Sequence, residues 1–464
     1  MSRSLTNFSV GTRALIQFMP TRLIRSISLV VAVGVLSCLL LVDQVDAEDW
    51  TRFRGPNGAG VSKTAVPVNW SPTENLKWKT ELPGPGASSP VVLGDRVFLT
   101  CYTGYGVGGK DEKIEDLKRH VICVDRNDGS IRWKQTVDAV MPEDAYSGMG
   151  VPAHGYASHT PVTDGKNVYV FLGKSGVIAY DLDGKQLWQQ SVGVGSDDRK
   201  WGSASSPVLF EDLVIVPAIC ESVAMIALNK ETGEEVWKEE ADGLRSCWGT
   251  PLIVDVGDGR SDLVMGVAGE VWGMNPKTGK MRWIATGIDG DSFHTSVLVD
   301  NGIIYASASG RRGGSSLAIK AGGKGDVTET HVQWSSPDAA SFGSPAVAND
   351  AMFLFSRGFI TRLNASTGKQ IKKERFPAAE GATKGGGGRG GRSWDYSSPV
   401  IAGENLYYVR ASGETLVFTA DSEFDKVASN RVTEEDETFN ASPAISDGQI
   451  FLRSNKSLYC VEEK

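Results

Sequence analysis

Four segments of one stretch decide the fold: Ser205-Ser206-Pro207-Val208-Leu209, Leu213-Val214-Ile215-Val216-Pro217-Ala218, Val223-Ala224-Met225-Ile226-Ala227-Leu228 and Glu234-Glu235-Val236-Trp237-Lys238. The first reads as a short strand, closed by a turn at Glu211-Asp212. The second is a continuous apolar run, as expected of a strand buried on both faces. Between the third and fourth, Asn229-Lys230-Glu231-Thr232-Gly233 supplies the Asn and Gly that a hairpin turn requires. The fourth alternates and is more polar. Four antiparallel strands in a unit of this length follow the plan of a propeller blade.

The unit recurs. Its Ser-Pro anchor returns as Ser89-Pro90, Thr160-Pro161, Ser206-Pro207, Thr250-Pro251, Ser296-Val297, Ser344-Pro345, Ser398-Pro399 and Ser442-Pro443, at steps of 71, 46, 44, 46, 48, 54 and 44 residues. A period in the mid-forties marks a repeat fold in which each unit needs its neighbours to bury its faces. The turn and a Trp four residues beyond its Gly recur too, at Gly129…Trp133, Gly184…Trp188, Gly233…Trp237 and Gly279…Trp283. The fifth unit departs, with Ala321 to Asp326 before Trp334, and the sixth keeps the turn but has Lys372 at the Trp position. Together with Trp78, these Trp residues are expected to wedge between blades, where a large ring buries much apolar area.

The two ends fit one another. Asn75 to Thr80 reads as a lone fourth strand, while the last unit has three strands, at Ser442 to Ser446, Gln449 to Arg453 and Ser457 to Val461. The expectation is an all-β, eight-bladed propeller of four-stranded antiparallel blades, with the N-terminal strand completing the last blade and covering its open edge. Residues 48–464 would form this single domain.

Residues 1–47 read as a signal peptide. Arg22 and Arg25 precede the uncharged run Ser26 to Val42, and Val45-Asp46-Ala47 resembles a cleavage site, with Met19 as an alternative start. An uncleaved anchor, or lipidation at Cys38, would instead tie the chain to a membrane. The chain carries a net charge of −8, and because residues 1–47 hold four Arg and two Asp, the remainder carries −10. That balance argues against nucleic acid as a partner. Cys101, Cys123, Cys220, Cys247 and Cys460 form no CxxC or adjacent pair, which removes the sequence signals of c-type haem and common zinc sites. Pairing of Cys101 with Cys123, or of Cys220 with Cys247, stays open beside burial as small hydrophobes.

Ala227-Leu228-Asn229-Lys230-Glu231-Thr232-Gly233-Glu234-Glu235-Val236-Trp237, repeated at 179–188 and 273–283 and more loosely at 123–133, resembles the repeat of quinoprotein-type (PQQ-like) propellers, including scaffolds of the BamB type. The opening Trp50-Thr51-Arg52-Phe53-Arg54-Gly55-Pro56-Asn57-Gly58 is similar to that of secreted propellers of planctomycetes. The resemblance covers about residues 50–464. It implies the fold and leaves activity open, because one repeat serves dehydrogenases and scaffolds alike.

Ligands would meet the face where the innermost strands begin. There the anchors are preceded by Tyr156 and His159, by Trp201, by Trp248, by His294, by Phe342, by Trp394 and Asp395, and by Phe439. A ring of aromatics with a few titratable groups suits a small-molecule or peptide mouth, although the same rings would also plug the channel. Two insertions lengthen the first repeat, Gly104 to Arg119 and roughly Ala139 to Tyr156; the second, with Met141, Met149 and His154, is a candidate lid over this mouth, and the Gly-rich stretch 385–392 reads as a solvated loop. Asp255, Asp258 and Asp262 hint at a calcium loop, but the alternating oxygen ligands are incomplete and a hairpin turn is favoured. The expectation is an exported, monomeric, non-catalytic binding or scaffold propeller at the cell envelope, with a protein partner or a small ligand at its mouth and no cofactor. The alternative is a PQQ- and calcium-dependent alcohol or sugar dehydrogenase. The resemblance implies an Asp base for such an enzyme, and Asp395 is the candidate; the vicinal disulfide it also implies is absent from the sequence.

Overall fold

The computed structural model describes residues 48–146, 154–310, 313–375, 394–421 and 423–464. The signal segment with Cys38, Met149 and the Gly-rich stretch 385–392 lie outside the described residues. Residues 48–464 form one unit of eight sheets. Blades 1 to 7 span residues 91–138, 162–190, 208–240, 252–286, 298–336, 346–375 and 400–430, each with four antiparallel strands in chain order from the axis outwards. Blade 8 takes its three inner strands from Ala444–Ser446, Gln449–Arg453 and Ser457–Val461. Its outer strand is Leu76–Glu81, which pairs antiparallel with Ser457–Val461 and sets Trp78 opposite Cys460. The two ends of the domain thus close the ring through one shared blade.

The recurring Trp and Gly meet across blade boundaries. Trp78 Nε1 donates to the Arg126 carbonyl at 2.8 Å, Trp133 to Leu182 at 2.9 Å, Trp188 to Lys230 at 2.8 Å, Trp237 to Pro276 at 3.0 Å and Trp334 to Ala365 at 2.7 Å. In each case the acceptor lies in the turn of the next blade, and the Gly of that turn sits under the indole ring. Trp283 differs: it is fully buried and donates to Asp262 Oδ2 within its own blade at 2.8 Å. The departure in the fifth unit has a counterpart here, since Gly325–Asp326 adds a short parallel strand to the outer edge of blade 4, opposite Trp283 and Ile284.

Trp50 to Ser62 runs under the ring as a strap. Trp50 exchanges backbone hydrogen bonds with Val92 of blade 1, both at 2.9 Å, and the Thr51 carbonyl accepts Thr163 N of blade 2 at 3.0 Å. The Arg52 guanidinium reaches the Pro251 carbonyl before blade 4 at 3.2 Å. Arg54, only 1% exposed, donates from Nη2 to the carbonyls of Ala59 and Pro345, each at 2.6 Å. Val61–Ser62 then pairs in parallel with Ile401 and Ala402 of blade 7. These contacts join blades 1, 2, 4, 6 and 7 at or next to their innermost strands, so the strap crosses the axis. Gly55 permits the crossing: its φ of +75° is left-handed, and a Cβ there would lie 2.8 Å from the Trp50 ring.

The five cysteines are buried and free. Cys101 and Cys123 stand on adjacent strands out of register, since Cys101 faces His120 and Cys123 faces Phe98.

Candidate functional site: an axial cavity with a hydroxyl ring

The Ser-Pro anchors build the site. At seven blade junctions the backbone N–H of one anchor donates to the anchor hydroxyl of the next blade. The links run from Ser89 to Thr160, Thr160 to Ser206, Ser206 to Thr250, Thr250 to Ser296, Ser296 to Ser344, Ser344 to Ser398 and Ser398 to Ser442, at 2.8 to 3.0 Å. The Pro that follows most anchors has no N–H of its own, so the hydrogen bond falls to the anchor residue. The eighth junction differs, because Ser89 Oγ is buried without a hydrogen-bond partner. All eight hydroxyl residues line a cavity of about 410 Å³ on the axis. Phe53, carried by the strap, lines it as well.

Aromatic rings form an arc along the same cavity. Trp201 lies 5.3 Å from Trp248 between ring centroids, Trp248 5.0 Å from His294 with the planes 19° apart, and His294 5.1 Å from Phe342. Phe342 in turn packs against Tyr396 at 4.7 Å and edge-on against Trp394 at 5.5 Å. These spacings are those of favourable offset and edge-to-face aromatic pairs. The Arg199 guanidinium lies over Trp201 at 5.1 Å and near Trp248 at 5.8 Å.

Of the rim residues expected from the sequence, Trp201, Trp248, His294 and Phe342 line the cavity, and Trp394 backs them. The others turn elsewhere. Tyr156 is buried under the insertion of blade 1, stacked on Tyr146 at 4.2 Å and donating its hydroxyl to the Asp144 carbonyl at 2.8 Å. His159 is buried between blades 2 and 3, against Phe171 at 4.3 Å and with Nε2 3.0 Å from Ser203 Oγ. Phe439 is 1% exposed and packs against Tyr459. Asp395 accepts Ala411 N at 2.9 Å and pairs with Arg410 at 3.5 Å. Burial raises its pKa, and it does not line the cavity. His154, expected near the mouth with the first-repeat insertion, and Asn440, next to Phe439, line the cavity as well, whereas Phe53, Tyr396 and the anchor hydroxyls themselves were not expected there. Tyr396 stands two residues before Ser398, as Trp248 does before Thr250, His294 before Ser296 and Phe342 before Ser344, so the same spacing signals it.

The titratable groups here are quiet. Burial pushes His154 and His294 down to about 4, so both rings are neutral at ordinary pH. His154 Nδ1 lies 2.6 Å from Ser158 Oγ, and His294 Nε2 lies 3.0 Å from Ser292 Oγ. Beside the cavity, Ser203 bridges His159 to Glu221, donating to Glu221 Oε1 at 2.5 Å. Ser203 therefore stands between base and carboxylate, whereas an activated nucleophile needs the base in the middle. Burial brings Glu221 up to about 7, helped by nearby Glu143, while Arg119 pairs with Glu143 at 2.6 Å.

No carboxylate lines the cavity among the described residues, and Asn440 is its one side-chain amide. A calcium-held quinone asks for several oxygen ligands including carboxylates, and the residues at the axis do not make that set. Asp262 of the suspected calcium loop is fully buried, paired with Arg260 at 2.8 Å and bonded to Arg282 and Trp283. Asp255 stands beside a hairpin turn in which Gly257 N donates to its Oδ1 at 2.9 Å, and Asp258 occupies the turn with a φ of +53°.

Known proteins match this chain in sequence and fold. The family model described as outer membrane protein assembly factor BamB matches residues 103–246 and 221–464. A quinoprotein alcohol dehydrogenase of Pseudomonas putida, PedH, is 28% identical over 183 residues, which are 36% of this chain and 29% of that protein. A 1-butanol dehydrogenase (quinone) of Thauera butanivorans is 26% identical over 200 residues, 40% of this chain and 30% of that protein. The chain thus spans about three tenths of the length of these relatives. The crystal structure of BamB from Moraxella catarrhalis superposes with a TM-score of 0.54 at 14% identity, covering 83% of this chain and 98% of that one. The quinohemoprotein alcohol dehydrogenase of Comamonas testosteroni gives 0.59 at 12% identity, covering 89% and 80%. At such identities the structural likeness speaks for the fold alone. Because the matched stretches run from residue 103 to residue 464, most of its length, the chain belongs to the family described as outer membrane protein assembly factor BamB, a PQQ-like repeat propeller.

Proposed function

We propose that the protein is an exported, non-catalytic binding propeller of the cell envelope whose axial cavity is its working site. The observation that carries this reading is the lining: hydroxyls, aromatic rings and neutral imidazoles, with no carboxylate among the described residues. Such a surface can hold and orient a ligand, but it offers no group poised to take a proton or attack a bond. Membership of a family described by an envelope assembly factor supports an exported scaffold with a protein partner.

A second reading, a quinone-dependent dehydrogenase, is favoured by the names of the partial relatives. It has to find its base and calcium ligands outside the axial lining, since Asp395 is engaged by Arg410 and Ala411. Purified protein mixed with pyrroloquinoline quinone and calcium, assayed for thermal shift and dye-linked oxidation of alcohols and sugars, separates the two. No turnover and no shift are expected. Turnover with either substrate class would overturn the binding reading. Cross-linking in the native envelope should recover a reproducible partner or cross-linked ligand.

A further inference from the structure

We propose that the axial cavity takes a neutral, polyhydroxylated ring, that is, one or two sugar units, either free or at the end of a glycan. The inference deepens the binding reading and rests on it.

The anchor hydroxyls set the chemistry. From Thr160 round to Ser442, each anchor oxygen accepts a backbone N–H of the preceding blade. None of these hydroxyls donates a hydrogen bond among the described residues, and each of the residues that carry them lines the cavity. A hydroxyl has one proton and two lone pairs, so each anchor keeps a proton to give and a lone pair to receive. A hydroxylated ligand, whose groups also give and receive, matches a ring of such partners better than a carbonyl or carboxylate that can only accept.

Charge narrows the choice. No Asp, Glu, Lys or Arg lines the cavity among the described residues, and burial keeps both lining imidazoles neutral. An anion would lose its hydration among these hydroxyls at a large cost, and the cation beside the cavity, Arg199, is set over the Trp201 and Trp248 rings and does not itself line it. A purely apolar alcohol would leave most of the hydroxyl ring unmet. The arc of Trp201, Trp248, His294 and Phe342 supplies flat apolar faces on one side, which suits the C–H face of a pyranose while its edge hydroxyls reach the anchors. Phe53 of the strap adds a further aromatic face to the lining. The volume of about 410 Å³ is within the range of small-ligand sites.

Calorimetric titration and Trp emission of the purified protein test this with five probes: methyl β-glucoside, maltose, maltohexaose, glucuronate and cyclohexanol. Saturable binding of a neutral sugar in the micromolar to millimolar range, with glucuronate and cyclohexanol weaker by about tenfold or more, supports the proposal. Binding of the monosaccharide and maltose marks a free-sugar site, whereas binding confined to maltohexaose marks a glycan end. Ala204→Leu narrows the cavity without removing any anchor hydroxyl and should abolish binding. Trp248→Leu should weaken it about tenfold. Each variant should keep a cooperative thermal transition, which separates loss of the site from loss of the fold. Preference for glucuronate or cyclohexanol would overturn the sugar proposal and leave the binding propeller standing. No saturable binding of any probe would also overturn it, and the oxidation and cross-linking experiments then judge the broader reading separately.

Discussion

Gly233 of blade 3 lies directly beneath the indole of Trp188 in blade 2, so close that a β-carbon on it would stand 2.7 Å from Cδ2 and Cε3 of the ring. Its φ of +77° is left-handed as well. The same residue thus answers two demands, one from its own turn and one from the neighbouring blade. That pairing repeats at Gly129 with Trp78, Gly184 with Trp133, Gly279 with Trp237 and Gly368 with Trp334. It explains why turn and Trp recur together: each is shaped to the other across a boundary.

The two demands can be separated by mutation. Gly302 has a φ of +75° but nothing within 4 Å of its would-be β-carbon. Gly302→Ala should therefore lose about 1 kcal/mol to backbone strain alone. Gly233→Ala should lose that and a further ~1–3 kcal/mol from overpacking against Trp188. Urea unfolding of both variants checks the difference, and equal midpoints would show that the Trp contact carries no strain.

The hydroxyl ring makes an uneven prediction around the axis. Thr250 Oγ1 accepts the buried N–H of Ser206 at 3.0 Å. Thr250→Val keeps the shape and leaves that N–H unsatisfied, so it should destabilise the fold by ~1–3 kcal/mol. Ser89 Oγ is buried without a partner, and Ser89→Ala should be close to neutral. Denaturant midpoints read both, and a larger loss at Ser89 than at Thr250 would contradict the ring as described.

Much of this was legible beforehand because it is local and periodic. The anchors, turns and outer-strand Trp residues repeat along the chain, and the surplus strand at Asn75 to Thr80 answers the strand missing at the C-terminal end. Trp201, Trp248, His294 and Phe342 could be read as rim residues because each stands just before an anchor. What spacing does not tell is which way a rim side chain turns. Tyr156 is taken by Tyr146 of the insertion, Asp395 by Arg410 and Ala411, and His159 by Ser203 and Phe171. Phe53 was hidden for a different reason. It reaches the axis through a strap without the periodicity of a strand or blade, in a stretch that stood out only by resemblance. The anchors were visible as a pattern, but their purpose appears only once the ring closes and the amide of one blade meets the hydroxyl of the next.

Stability near neutral pH should carry the mark of Glu221. Burial raises its pKa from 4.5 to about 7, so the folded protein holds a proton there that the unfolded chain releases. Its favourable contribution is complete below about pH 4.5 and is lost as pH rises through about 7. Neighbouring His159 has the opposite sign: burial lowers it from 6.5 to about 3, so its contribution is present above 6.5 and lost as pH falls. The two slopes overlap, and Glu221→Gln removes one of them. Relative to the parent protein, the variant should gain stability between about pH 5 and 7, at up to ~1.4 kcal/mol per pH unit. Parallel stability profiles of the two proteins would show that Glu221 does not titrate in this window.

The strap should be held chiefly by Arg54. Its guanidinium is almost fully buried, with the Ala59 carbonyl fixing the strap's own turn and the Pro345 carbonyl tying it to the start of blade 6. A charged donor to buried carbonyls contributes more than a neutral one, and among the described hydrogen bonds no other side chain on the strap makes as many to the ring. Arg54→Met keeps apolar bulk but donates no hydrogen bond. It should destabilise the protein by about 2 kcal/mol or more and expose Trp50 to Ser62 to proteases while the blades stay intact. Limited proteolysis with N-terminal sequencing of the product reads this directly. Because Phe53 is carried between Arg52 and Arg54, the same variant should also loosen the lining of the axial cavity and weaken any ligand found there. If cleavage within 50–62 is no faster than in the parent protein, the strap is held by its backbone pairing with Val92 and Ile401 instead.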